Sequence, residues 1–411
     1  MQQSSTDHFV GIDIGTSGVR CIIGMIDPDS KEGTSIVGHG FCPNLGMRKG
    51  VIVHPDDVAE ALIKAVSEAE RTSGVHVSSA TVNVNGTHVM GIDSRGVIAI
   101  GASSQEISID DRLRAEEAAT VMKLPPNREI IQLFAKNYCV DGQFNIKDPV
   151  GMHGVRLEVD AHIVTAATPN IRNLLSVMDK AQIRINHLAV SSLAAAEAVL
   201  SRQQKESGTV LVDIGAGTTN IVVIEDAEVQ HVAVLPIGGI NITNDLAIGL
   251  KTDLNIAEIV KIKHATLLKT REKTAFVEYE GKKHSFDMYD ITMITEARIE
   301  ELLEFIDKEL RKIHRSRKLP GGVVLVGGTS KIPGIDEYVR EKLQLSARVG
   351  TLQPFSGLVD TLDDVTFATT AGLMQLDIIL ADNNMSFSDT ASSGSKIQNV
   401  IEMFSKSFRK K

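Results

Sequence analysis

Apolar and polar positions fall into recurring patterns along the chain. Residues 9–24 (FVGIDIGTSGVRCIIG) and 209–224 (TVLVDIGAGTTNIVVI) each read as an apolar strand ending in Asp-Ile-Gly. A short loop of small and hydroxyl residues follows, then a second strand rich in β-branched side chains, which predicts a hairpin. Asp13 and Asp213 hold equivalent places, so the chain reads as two related halves. Residues 323–334 (VVLVGGTSKIPG) give a further buried strand that ends at paired glycines. Segments 192–200 (SLAAAEAVL) and 367–376 (FATTAGLMQL) predict helices of small residues that can cross closely. Residues 294–317 predict a charged amphipathic helix, with Ile299, Leu302, Leu303, Ile306 and Leu310 on one face. Arg298, Glu301 and Lys308 fall on its solvated face. Residues 381–395 (ADNNMSFSDTASSGS) are small and polar and predict a flexible linker, and residues 396–411 return to helical apolar spacing with a basic end.

Composition narrows the function. A chain of 411 residues predicts more than one domain, and 43% hydrophobic content supplies real cores. The net charge of −9 and the 4% aromatic content, with no Trp, disfavour a nucleic-acid binder. Cys21, Cys42 and Cys139 are far apart and form no CxxC pair, so neither a disulfide framework nor a zinc site is expected. None of the 12 histidines stands at metal-ligand spacing. The first residues carry no basic signal region, and no run of about 18 apolar residues predicts a membrane span.

The glycine loops suit a polyphosphate. Gly15 and Gly18 in one loop, and Gly215 and Gly217 in the other, let backbone amides approach phosphate oxygens. Thr16 and Ser17, then Thr218 and Thr219, add hydroxyl donors, and Asp13 and Asp213 are placed to orient water around Mg²⁺. A single Asp-x-Gly is an ordinary strand-turn; its recurrence in matching halves favours function. Gly327 and Gly328, followed by Thr329, Ser330 and Lys331, would let an adenine ring lie flat on the backbone.

These loops resemble the phosphate-1, phosphate-2 and adenosine motifs of the actin-like ATPase superfamily. Within it, residues 45–55 (LGMRKGVIVHP), 84–88 (VNGTH), 106–111 (EISIDD), 141–158 (DGQFNIKDPVGMHGVRLE) and 236–250 (PIGGINITNDLAIGL) resemble the FtsA-like cell-division proteins. The resemblance covers residues 9–380 and the terminal amphipathic helix. It implies an α/β, actin-like fold: a duplicated, ribonuclease H-like two-domain body with an FtsA-type subdomain 1C and a C-terminal amphipathic helix. Subdomain 1A would comprise 9–84, 163–200 and 366–380; 1C would be 85–162; 2A would be 208–236 and 319–365; 2B would be 237–318.

The resemblance also implies ATP and Mg²⁺ as cofactors. Gly238 and Gly239 would approach the nucleotide. Glu258 and Lys261, one helical turn apart, would reach the ribose hydroxyls and the adenine edge; a plain surface ion pair worth about 0.3–0.5 kcal/mol is the alternative. Superfamily members commonly place Gln or Glu at the start of the first connecting helix, where this chain has Ser191 and Ser192. Glu197 lies about 9 Å further along that helix. Tight ATP binding with slow or absent turnover is therefore expected, with the nucleotide favouring polymer contacts. Implied partners are the FtsZ C-terminal tail at 2B, further copies of the chain in filaments, downstream divisome proteins at 1C, and an anionic membrane surface. A type IV pilus actin-like adaptor and a sugar or acetate kinase are the rival readings. A heat-shock chaperone ATPase is disfavoured, because no β-rich domain follows residue 380.

Membrane attachment is expected of residues 396–411. Ile397, Val400, Ile401, Phe404 and Phe408 fall within an arc of roughly 100°, while Lys406, Arg409 and Lys410 face elsewhere. At about 24 Å such a helix is too short to span a bilayer and suits its interface, at the cytoplasmic face of the cell membrane at the division site.

Overall fold

The computed structural model describes residues 8–27, 33–101, 105–121, 124–358 and 364–381. Two mixed sheets repeat one topology. The first runs Arg184–Val190, Ser79–Val84, His8–Ile14, Gly18–Ile26, Thr34–Pro43, with the short Ser356–Gly357 at its edge. The second runs Ala347–Val349, Gly322–Val326, Thr209–Ile214, Thr219–Glu225, Glu228–Leu235. In each, three consecutive strands pair antiparallel and two later strands add in parallel beside the first. This is the duplicated α/β architecture the paired Asp-Ile-Gly hairpins imply.

Alternate residues of the second sheet serve different cores. Leu211, Val222 and Val324 pack with the first half, whereas Val210, Val212, Val223 and Val323 pack with the helices of the second. Burial on both faces explains the continuous apolar runs. The layer between the halves is made by the helices Ser191–Val199 and Ala368–Ala381. Every residue of the former is buried. They cross so closely that a Cβ on Gly372 would collide with the Ala194 carbonyl. Asp377 anchors the latter helix, its carboxylate accepting from Val10 N at 2.9 Å, Thr81 Oγ1 at 2.7 Å and Asn186 Nδ2 at 3.0 Å.

An insert leaves the first half as its own antiparallel sheet, in the order Met90–Ala99, Arg156–Ala167, Arg128–Val140, Gln143–Ile146. The helix Ile109–Thr120, started by a Ser108–Asp111 capping box, covers one face. Leu133, Tyr138, Leu157 and Val159 form a small separate core. The strand Arg156–Ala167 is unbroken, with Thr165 opposite Met90 and Ala167 opposite Arg128. The division expected between residues 162 and 163 therefore falls inside a strand whose far end still pairs within the insert sheet.

In the second half, the helices Gly239–Gly249, Leu254–His264 and Met288–Lys312 enclose the other core beside the hairpin Thr274–Tyr279 and Lys282–Asp287. The charged helix starts six residues before the expected position 294, because Asp287 caps it by accepting from Tyr289 N at 2.8 Å. It ends at Lys312, and His314 already has a positive φ of 59°. Among the described residues no helix is long and apolar enough to cross a membrane. The expected linker beyond Ala381 and the expected terminal helix, residues 396–411, lie outside the described residues.

Candidate functional site

The two Asp-Ile-Gly hairpins have the same geometry. Asp13 stands opposite Arg20 and Asp213 opposite Asn220; Ile14 faces Val19 and Ile214 faces Thr219. Each loop is closed by one backbone bond, Gly15 N to Gly18 O at 3.0 Å and Gly215 N to Thr218 O at 2.9 Å. The loops converge on a cleft of about 400 Å³ between the halves, within the usual size range of small-molecule sites.

Asp13, Gly15, Thr16 and Ser17 line this cleft from one half, and Asp213, Gly215 and Thr218 from the other. Glu258, Lys261 and Gly239 line it too, as do Gly327, Gly328, Thr329 and Lys331. Four expected residues do not. Gly18 is buried against Phe41, and Gly238 tucks under the carbonyls of Gly215 and Ala216. Gly217 packs on Thr16 and Lys49. Thr219 is fully buried and its hydroxyl donates to Ile237 O at 2.8 Å, so it faces the sheet rather than the cleft.

The glycines leave room where a ligand would need it. Gly327 has φ 85°, and a Cβ there would lie 2.6 Å from Ile214 O. At Gly328 the nearest atom to a Cβ would be Thr366 Cγ2 at 3.8 Å, so the space above it is open. Lys261 Nζ donates to Glu258 Oε2 at 2.7 Å, to Thr243 Oγ1 at 2.9 Å and to Gly239 O at 3.2 Å. The ion pair therefore exists and also faces the cleft. Lys331 is paired with Asp364.

The carboxylates at the cleft floor are perturbed. Burial pushes Asp13 up to about 6, partly offset by Arg20. Burial, and then the charge of Asp13, push Asp213 up to about 7. Asn83 Nδ2 donates to Asp13 Oδ1 at 2.7 Å. Among the described residues no group of three or more His, Cys, Asp or Glu could hold a metal. Two carboxylates with open space before them suit a cation that keeps most of its water, such as Mg²⁺.

Several cleft residues were not evident from sequence. Arg20 lies over the Phe41 ring at 4.9 Å and the Phe367 ring at 5.6 Å, and among the described residues its buried Nε has no hydrogen-bond partner. Asn85, Asn220 and Thr369 also line the cleft. For Asn85 the available signal was the pair of polar residues inside the apolar run VNVNG at 82–86. Ser191 lines the cleft and accepts from Asn83 Nδ2 at 3.1 Å. Glu197 is buried elsewhere, paired with Lys205 Nζ at 2.6 Å. The helix start thus offers a hydroxyl to the cleft and no carboxylate.

Family models described as "Cell division protein FtsA" and "SHS2 domain inserted in FTSA" match residues 210–372 and 86–165. A cell division protein FtsA from Pseudomonas aeruginosa is 32% identical over 93% of this chain and 92% of its own length. The Bacillus subtilis FtsA is 37% identical over 85% of this chain and 79% of its own. Among solved structures, a PilM–PilN type IV pilus biogenesis complex aligns with TM-score 0.64 and 16% identity, over 90% of this chain and 98% of that one. MreB5 of Spiroplasma citri bound to ADP aligns with TM-score 0.55 and 12% identity, over 92% and 98%. Identities this low show the actin-like fold alone.

Proposed function

The chain belongs to the FtsA family of bacterial cell-division proteins, and from that premise we propose that it binds ATP with Mg²⁺ in the cleft and tethers FtsZ filaments to the cytoplasmic face of the membrane. It is a cell-division actin homologue. The observation that carries the nucleotide reading is the pair of hairpin loops meeting across one cleft, with open space above Gly328. MreB5, which shares the fold, is bound to ADP.

In this reading the backbone amides near Gly15, Thr16 and Ser17, and those near Gly215 and Thr218, hold the phosphates. Asp13 and Asp213 hold the hydration shell of Mg²⁺, and neutralising their crowding is one consequence of binding. Glu258 and Lys261 take the ribose and the adenine edge, and Gly327 and Gly328 bed the ring. ATP·Mg²⁺, when bound, would supply the phosphate and metal charge that these residues, drawn from both halves, are placed to hold. Ser191 is too weak a base to drive hydrolysis, so turnover is slow. Asn83 Nδ2 donates to both that serine and Asp13.

The remaining steps are self-association into filaments, docking of the FtsZ tail on residues 237–318, docking of downstream divisome partners on the insert, and membrane attachment through residues 396–411. The type IV pilus reading rests on fold similarity, while the sequence relatives are cell-division proteins.

The test is co-sedimentation of the full chain with anionic liposomes, with and without ATP·Mg²⁺, followed by electron microscopy. Filaments on lipid with ATP, and loss of sedimentation in Phe404→Glu/Phe408→Glu, are expected. Undiminished sedimentation of the double variant would refute the attachment site. Absence of FtsZ recruitment to the liposomes would refute the tether.

A further inference from the structure

Beside the cleft, Met47–Arg48 pairs with Val51–Ile52 as a small ribbon, with Arg48 opposite Val51. That register leaves Lys49 and Gly50 as a two-residue turn. Both have positive φ, 48° and 71°, the conformation of the tight turn that matches strand twist. Lysine is uncommon in that region, so neighbours must hold the tip in place.

Both phosphate loops do so. Gly50 N donates to Thr16 Oγ1 at 3.0 Å. Gly217, in the opposite half, faces the same tip: a Cβ there would lie 3.0 Å from Thr16 Oγ1 and 3.1 Å from Lys49 Cα. Behind the turn, a Cβ on Gly50 would lie 2.5 Å from Gly86 Cα, and the neighbouring Asn85 meets Thr218 across the cleft at 3.4 Å. The tip is therefore wedged at the junction of the two loops. Lys49 is exposed, and among the described residues no carboxylate lies within ion-pair distance of its ammonium. Lys49 does not itself line the cleft, but its side chain spans roughly 6 Å from Cα to Nζ at ordinary bond lengths, enough to extend past the adjacent Thr16, which does line it. Lys261 and Thr329 gather at Gly239, on the nucleoside side, whereas Lys49 gathers with Thr16 and Gly217.

We propose that Lys49 forms a subsite for the terminal phosphate of a nucleoside triphosphate, and that this hairpin tip distinguishes triphosphate from diphosphate. The proposal rests on the nucleotide reading of the cleft. A lysine ammonium acts on phosphate as a point charge, and it adds affinity only where the extra phosphate is present.

The experiment measures dissociation constants of the full chain for AMPPNP and for ADP, each with Mg²⁺, by calorimetry. Lys49→Gln removes the charge. Lys49→Gly does so with a residue that accepts positive φ without strain, so folding is preserved, and nucleotide-free melting curves verify it. Arg48→Gln is the control for charge on the same ribbon. Both Lys49 variants should lose about tenfold in AMPPNP affinity and less than about twofold in ADP affinity, with Arg48→Gln changing neither. Equal losses for both nucleotides, or none, would overturn the subsite while leaving the cleft reading intact. A wild-type protein that binds neither nucleotide would overturn both.

Discussion

The Nε2 atom of His162 accepts a hydrogen bond from the backbone N–H of Val232 at 3.0 Å, tying the insert to the edge strand of the second half. His162 Nδ1 lies 2.7 Å from Asp93, so the ring proton sits on Nδ1 and the lone pair on Nε2 faces Val232. The contact is buried and close: a Cβ on Gly91 would lie 2.6 Å from Val232 O. An edge N–H that no strand covers is thus satisfied by an imidazole.

That contact should respond to pH. Burial holds His162 below the usual imidazole range; Asp93 opposes this, while Lys136 and His231 reinforce it. A depressed histidine gives stability that is present above about pH 6.5 and lost as pH falls. Hydrogen exchange at Val232 should quicken on acidification, and His162→Phe, which leaves the N–H unpaired, should cost about 1–3 kcal/mol at neutral pH. Unchanged exchange and melting in that variant would refute the role.

Gly328→Glu places a charged side chain in open cleft space, since the nearest neighbour of its Cβ is 3.8 Å away. The variant should fold and lose at least about tenfold in ATP affinity, a cost of about 1.4 kcal/mol. Calorimetry checks the affinity and circular dichroism the fold; unaltered ATP binding would move the adenine site elsewhere.

If Asp13 and Asp213 hold Mg²⁺ as proposed, metal binding should depend on pH. Raised carboxyl pKa values, about 6 and about 7, mean that protonation stabilises the nucleotide-free protein at low pH and that this is lost as pH rises through them. Mg²⁺ at the proposed site would compete with those protons. The melting shift produced by Mg²⁺·ADP should be larger at pH 8 than at pH 5.5, and Asp213→Asn should flatten the difference. A shift independent of pH in the wild type would remove the carboxylates from the metal site.

Gly372 exists for the helix crossing. Gly372→Ala drives a methyl into the Ala194 carbonyl and should destabilise by about 1–3 kcal/mol or more, an overpacking cost. Gly101→Ala, with nothing among the described residues within 4 Å of its Cβ, is the control. Equal melting temperatures for the two variants would contradict the close crossing.

The family and fold class were legible because their signals are local. A strand that ends at Asp-Ile-Gly and turns through glycine reads the same in any context, and its repetition at residues 13 and 213 gave the duplication. Small-residue helices likewise announced a close crossing. Side-chain facing was harder. Thr218 and Thr219 are indistinguishable as hydroxyl residues, yet one lines the cleft and the other donates to Ile237 O. Hairpin register sets that parity, and a one-residue slip would exchange them.

By itself, then, the sequence determined the strands, the glycine loops and the buried helices, since these follow from spacing and backbone freedom within a few residues. Only the tertiary structure decided which polar groups meet. Asn83 reaches Asp13 and Ser191 across 70 and 108 positions of chain, and His162 reaches Val232 across 70. Gly50 and Gly217 converge on Thr16 from opposite halves. Contacts of this kind depend on how two sheets, two crossing helices and an insert pack together, and no local pattern of residues encodes that.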